Sequence, residues 1–161
     1  MVIFCTSCWM ENASGSVVCV RCGSKLETDG VDYISKLIRA LGHPEPDTVQ
    51  RACWVLGELK SRIAVMPLIS MLRVSRDPGA LEAGVEALGK IGDEEALEIL
   101  AAMALLSYLP VRLRAVEAIR NIGGDRAIQI LEEVMKGNTS PLVAARAEEA
   151  IRELQQEGRV R

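Results

Sequence analysis

A four-fold internal repeat limits what this chain can fold into. The segments Trp54-Val55-Leu56-Gly57-Glu58-Leu59, Glu86-Ala87-Leu88-Gly89-Lys90-Ile91, Glu117-Ala118-Ile119-Arg120-Asn121-Ile122 and Glu149-Ala150-Ile151-Arg152-Glu153-Leu154 align column by column. The spacing is nearly constant, running from Leu56 to Leu88, Ile119 and Ile151. Two helical turns before these stand Thr48, Ala80, Val111 and Val143; one turn before stand Ala52, Gly84, Ala115 and Ala147. Spacings of four and eight are those of one helix face. The column holding only Ala and Gly predicts a close approach of neighbouring helices, because larger side chains would hold them apart.

A second helix precedes each of the last three. Ala64, Ala96 and Ala127 open columns continued by Leu68, Leu100 and Leu131, then by Leu72, Ala104 and Met135. Before the first, Val31, Ile34, Leu37, Ile38 and Leu41 form one amphipathic stripe. Breaks fall at Gly42 to Asp47 with Pro44 and Pro46, at Asp77-Pro78-Gly79, at Leu109-Pro110 and from Gly137 to Pro141. Gly92-Asp93 and Gly124-Asp125 are each expected to end one helix and cap the next. Residues 29–161 thus read as eight helices of roughly 10–15 residues in four hairpins. No hairpin can bury its apolar stripe alone, so stacking must make one continuous core.

The pattern small-x-x-Ala-Leu-Gly-x-Ile-Gly-Asp, followed by a helix opening with Ala, is clearest at Glu82–Asp93. Over residues 31–156 it resembles the HEAT-like repeats named after phycocyanobilin lyases. The resemblance implies an all-α fold, an α-α superhelix with the second helix of each pair lining its inner, concave face. It implies little about activity, since such repeats serve many unrelated proteins as scaffolds.

Residues 1–28 carry different chemistry. Cys5-Thr6-Ser7-Cys8 and Cys19-Val20-Arg21-Cys22 are two C-x2-C pairs joined by a polar stretch. Two residues between thiolates let one tight turn aim both sulfurs at a single ion, and two such turns supply tetrahedral Zn²⁺. Gly23 follows the second pair, where a positive φ commonly releases the turn. Disulfides are the alternative, and a chain without a secretory leader disfavours them. Phe4 to Leu26 resembles the short zinc ribbons in which aromatic-Cys-x-x-Cys-Gly leads through a polar loop to Cys-x-x-Cys-Gly-x-x-Leu. The departure is Trp9, which stands where that pattern has glycine. So short a segment cannot bury a sufficient core, so metal must supply the folding free energy, roughly 10–16 kcal/mol for such sites. Four cysteines close the coordination sphere, which marks zinc here as structural. The expected division is a ribbon over 1–28 and a repeat domain over 29–161.

Outside the core columns, set by positions 52, 55, 56 and 59 and their equivalents, the second helices present a ridge. It contains Trp54 and Glu58; Glu86 and Lys90; Glu117 and Arg120; and Glu149. One column reads Trp54, Glu86, Glu117, Glu149. It is either a solvated helix face or a groove for a basic or helical segment of a partner, anchored by Trp54. Tryptophan is a frequent interface hot spot. The same side chain can instead pack beneath the ribbon or the Pro44–Pro46 loop. Cys53, alone on an apolar helix, reads as a small buried hydrophobe, and His43 as an exposed loop residue.

Composition narrows the function classes. The four charges of residues 1–28 (Glu11, Arg21, Lys25, Glu27) cancel, so the net −3 belongs to the remainder. No basic body is present to neutralise a phosphate backbone. Aromatics are 3% of residues, which leaves a tetrapyrrole little lining, and the single histidine excludes a di-iron site built from His–Glu pairs. No apolar run approaches the roughly 18 residues that span a bilayer. The chain reads as a cytoplasmic, non-catalytic protein-interaction scaffold with one Zn. The alternatives are a nucleic-acid-associated zinc-ribbon protein and a phycobilin lyase-like enzyme.

Overall fold

The computed structural model describes residues 2–5, 7–13, 15–26, 33–137 and 140–159. Val31 and the boundary expected between residues 28 and 29 lie outside the described residues. At the N-terminus, β1 (Val2–Phe4) and β2 (Glu11–Ala13) pair antiparallel with Ile3 opposite Asn12, and a bridge joins Val18 to Lys25. The helical part runs α1 (Tyr33–Ala40), α2 (Pro46–Glu58), α3 (Val65–Val74), α4 (Pro78–Ile91), α5 (Leu97–Leu106), α6 (Leu109–Ile122), α7 (Gly124–Gly137) and α8 (Pro141–Arg159). Each odd helix packs on the even helix that follows, and α2, α4, α6 and α8 pack in a row. The four expected hairpins are present, stacked as HEAT-like repeats. No helix among the described residues is long and apolar enough to cross a membrane.

Local chemistry sets the helix ends. The even helices start at prolines or one residue before one (Pro46, Pro78, Leu109-Pro110, Pro141), where a missing N–H costs nothing. Asp77 accepts from the Ala80 N–H at 2.7 Å and caps α4. Short 3₁₀ turns at Arg62–Ala64 and Glu94–Ala96 lead into α3 and α5, so these helices begin one residue after the expected alanines. Gly92 ends α4 at φ 75°, and Asp93 caps the turn that follows. The equivalent cap of α6 is Gly123 at φ 72°; Gly124 and Asp125 are the opening residues of α7, so the cap expected at Gly124-Asp125 lies one residue earlier.

Core columns follow the repeat. Leu56, Leu88, Ile119 and Ile151 are buried, as are Ala52, Gly84, Ala115 and Ala147, and one buried cluster runs from Leu41 to Ile151. A close approach between even helices lies in a neighbouring column. A Cβ on Gly57 would stand 2.9 Å from Ala87 Cα, and one on Gly89 would stand 2.8 Å from Ala118 Cα. At Gly84 the neighbours are instead side-chain ends of Met71 and Leu72 in its own hairpin. Leu59 departs from its expected core column and is 50% exposed. It is the C-cap of α2, and no even helix precedes α2 among the described residues to cover it, whereas Ile91, Ile122 and Leu154 pack partly on the core.

Candidate metal centre and interaction face

Each C-x2-C pair sits in a tight turn. In the first, Trp9 N–H donates to Cys5 O and Cys5 N–H to Met10 O, both at 2.9 Å; in the second, Gly23 N–H donates to Cys19 O at 3.0 Å. The turns face each other and bring the sulfurs of Cys5, Cys8, Cys19 and Cys22 within 4.8 Å of one another. Cys5 Sγ lies 3.5 Å from Cys22 Sγ, and Cys8 Sγ 3.5 Å from Cys19 Sγ. Four thiolates around one ion at about 2.3 Å stand roughly 3.8 Å apart. The four cysteines are therefore placed to hold a metal ion between them.

The surroundings favour the thiolate at Cys19 and Cys22. Backbone N–H groups of Ser7 and Arg21 point at Cys5 Sγ and Cys19 Sγ, each at 3.4 Å. Burial opposes ionisation of Cys19, but the N–H groups of Cys22 and Arg21 and the sulfurs of Cys8 and Cys5 pull it down to about 6. The Ser24 hydroxyl, 3.3 Å from Cys22 Sγ, and the Ser24 N–H lower Cys22 as well. The Met10 N–H works to lower Cys8, yet burial and proton sharing with the other three sulfurs push it up to about 12. Such a set gives up its protons to a cation as it binds.

Asn12 is a residue the sequence reading missed. It is buried, its amide donates to Met10 O at 2.7 Å, and its Oδ1 accepts from Val20 N–H at 2.9 Å. One side chain thereby ties the first turn to the second, with Cys19 Sγ 3.8 Å from its Nδ2. Nothing in its spacing distinguishes it from the turn residues that follow.

Trp9 occupies the position that Gly23 holds in the second turn, and both have positive φ, 58° and 70°. An L-residue there carries about 1–2 kcal/mol of strain. The indole reaches out of the ribbon: Nε1–H donates to Gly42 O at 3.2 Å, and its ring meets His43 edge-on, with centroids 4.5 Å apart. His43 is therefore half-covered, contrary to the expectation of an exposed loop residue.

On the even helices, Trp54 is 59% exposed beside a notch lined by Ala83, Glu86, Ala87 and Lys90. It packs under neither the ribbon nor the proline loop. The carboxylates of its column are paired. Lys90 binds Glu58 at 2.7 Å and Glu86 at 2.8 Å; Arg146 binds both Glu117 and Glu149; Arg120 meets Glu153 at 3.3 Å. Glu58 and Glu86 hold the Lys90 ammonium above its ordinary range, and Arg146 holds Glu117 below the usual carboxylate range. Three of these rungs, Glu58 to Lys90, Glu117 to Arg146 and Arg120 to Glu153, cross from one repeat to the next. Read as a single column, the acidic positions gave no sign of Arg146, which belongs to another column. Cys53 is fully buried, and burial pushes its thiol up to about 12, so it is no nucleophile at neutral pH.

Comparison with known proteins gives the same architecture. Residues 34–109 match the family model of HEAT repeats, and residues 111–137 match that of the PBS lyase HEAT-like repeat. No curated protein matches the chain.

Proposed function

We propose that this chain, a stack of HEAT-like repeats led by a four-cysteine ribbon, is a non-catalytic scaffold that binds a helical segment of another protein. HEAT repeats commonly mediate protein–protein contact. The observation that carries the reading is Trp54, a large indole left in water on a rigid helix. Desolvating such a side chain in a partner's pocket is a frequent source of binding energy.

Glu58, Glu86, Lys90, Glu117, Arg120 and Glu149 are the proposed polar contacts around it. Their mutual pairing changes the kind of partner expected from sequence. A strongly basic segment would have to displace Lys90 and Arg146 from their carboxylates. An amphipathic segment of mixed charge meets no such competition, and exposed ion pairs set its register more than its affinity. The same pairing argues against a nucleic-acid ligand, whose phosphates would compete for those cations.

The metal is proposed to be zinc, since four clustered thiolates suit it and leave no open position for water. Reduced thiolates of this kind fit a cytoplasmic setting. Residues 1–28 and 29–161 are proposed as separate folding units, because their buried clusters are distinct.

The test uses Trp54→Ala beside Met66→Ala, a substitution at an exposed apolar residue on an odd helix. Trp54→Ala should shift stability by no more than about 0.5–1 kcal/mol. A protein captured directly by wild type and by Met66→Ala, but lost with Trp54→Ala, supports the reading. Equal capture by all three overturns it.

A further inference from the structure

We propose that Trp9 is a metal-dependent docking peg: loading the four-cysteine site fixes the ribbon to the α1–α2 turn and so orders the first repeat. The proposal rests on the metal reading above and adds a consequence for the stack.

Three observations converge on it. The ribbon does not itself call for a tryptophan at position 9. The second turn makes the same bend with Gly23, where a Cβ would meet nothing within 4 Å, so no ribbon contact awaits a side chain there. Trp9 instead accepts a left-handed backbone, and its indole makes contacts outside the ribbon that offset the strain. They are the Gly42 carbonyl and the His43 ring.

The receiving surface is held firmly. Leu41, Gly42 and His43 donate their N–H groups back to Ile38, Arg39 and Ala40, so the end of α1 is a continuous turn whose Gly42 carbonyl remains for the indole. His43 Nδ1 accepts from Glu45 N–H at 3.0 Å, which locks the ring from its other side. The indole thus bridges the ribbon to the loop joining α1 and α2.

The first repeat also has the most to gain. The described part of α1, Tyr33–Ala40, covers two turns and has no fully buried residue, while every other described helix places several in the core. An isolated helix of that length is unstable in water. The hold of α1 on the core rests on the half-buried Ile34, Leu37, Ile38 and Ala40, and a clamp on its C-terminal turn adds to that hold. The clamp exists only while the first knuckle holds Trp9 in its strained turn, and bound metal holds that knuckle through Cys5 and Cys8. Without metal, the turn opens and the backbone of Trp9 can relax.

Hydrogen exchange on the full chain, with and without Zn²⁺ and with bound metal counted, tests this. In wild type, removing zinc should speed exchange across residues 33–45 by about tenfold, the loss of one hydrogen bond and one ring contact. Exchange in α4 and α6 should not change. Trp9→Gly removes the strain, so it should still bind one zinc, yet show the fast exchange of 33–45 even when loaded. Trp9→Phe keeps a ring without the donor and should fall between. Wild-type exchange that ignores zinc, or loaded Trp9→Gly as protected as wild type, would overturn the peg while leaving the metal reading intact. A chain that takes up no zinc overturns both, and the metal count alone identifies that case.

Discussion

The ribbon and the helical stack reach a defined structure by opposite routes. In the ribbon the buried apolar set is Cys5, Cys19 and Leu26, and two of these three are proposed metal ligands. In the stack, buried Leu, Ile, Val and Ala recur in every repeat, from Leu41 to Ile151. A chain segment too small to bury enough surface must draw its stability from bonds to an ion. A repeat array accumulates burial from each neighbour. The same polypeptide should therefore show two stabilities with different controls.

Chelation is the strongest way to break that comparison. Removing the metal should cost the ribbon its roughly 10–16 kcal/mol of binding free energy and unfold it. The helical signal in circular dichroism should survive almost intact, with at most the short α1 lost. Thiol alkylation gives an independent reading. Cys5, Cys8, Cys19 and Cys22 should react promptly after chelation, while buried Cys53 waits for the stack to unfold. Cys19→Ser should reproduce the effect without a chelator. If all five thiols become reactive together, the two parts share one cooperative transition and the comparison fails.

Within the stack, the counterpart is loss of burial. Leu88 is fully buried in α4, so Leu88→Ala should cost about 2–5 kcal/mol in denaturant unfolding. Glycine substitutions sharpen the picture further. Gly89→Ala drives a methyl into the Ala118 backbone, which cannot move without parting α4 from α6. A penalty of about 1–3 kcal/mol is expected. At Gly84 the obstacles are the Cδ2 of Leu72 and the Cε of Met71, flexible ends that can turn aside. Alanine's better helix propensity, about 1 kcal/mol, offsets much of that adjustment. Gly84→Ala should therefore cost clearly less than Gly89→Ala. The reverse order would mean that the even helices are not held close through Gly89.

Features set by one segment's own spacing were legible in the sequence. Two C-x2-C turns can aim four sulfurs at a common point, and the columns of Leu56 and Ala52 repeat through four helices. Features set by pairing between segments were not. Glu117 and Glu149 look like unmet charge until Arg146, in a different column, is seen between them. Leu59 aligns with Ile91, yet alignment cannot register that, among the described residues, no even helix precedes α2. Trp9 was visible as a departure from glycine, but Gly42 and His43 lie far along the chain and carry no pattern linking them to it. Gly123 and Gly124 are adjacent glycines, and only backbone geometry tells which one ends α6.

The smallest expected effect concerns a place where the stack itself departs from its own rule. Lys60, Gly92 and Gly123 are equivalent positions ending α2, α4 and α6, and all three have positive φ, at 46°, 75° and 72°. Around Lys60 the hydrogen bonds are those of a helix ending in a left-handed residue: Ser61 N–H to Leu56 O at 3.2 Å and Lys60 N–H to Gly57 O at 3.0 Å. The geometry suits glycine, and lysine incurs about 1–2 kcal/mol in sterics to adopt it. Glycine would remove that strain but gain freedom in the unfolded chain, an offset of about 0.5–1 kcal/mol. Lys60→Gly should thus stabilise the stack by at most about 1 kcal/mol, or roughly 2–4 °C in melting temperature for a domain of this size. Gly92→Lys, the reverse exchange one repeat later, should lower it by a similar amount. Because both sites lie outside the ribbon, neither shift should depend on whether metal is bound. A Lys60→Gly melting point below wild type would show that the lysine side chain holds something the repeat pattern does not predict. The first repeat would then differ from its neighbours in more than its exposed flank.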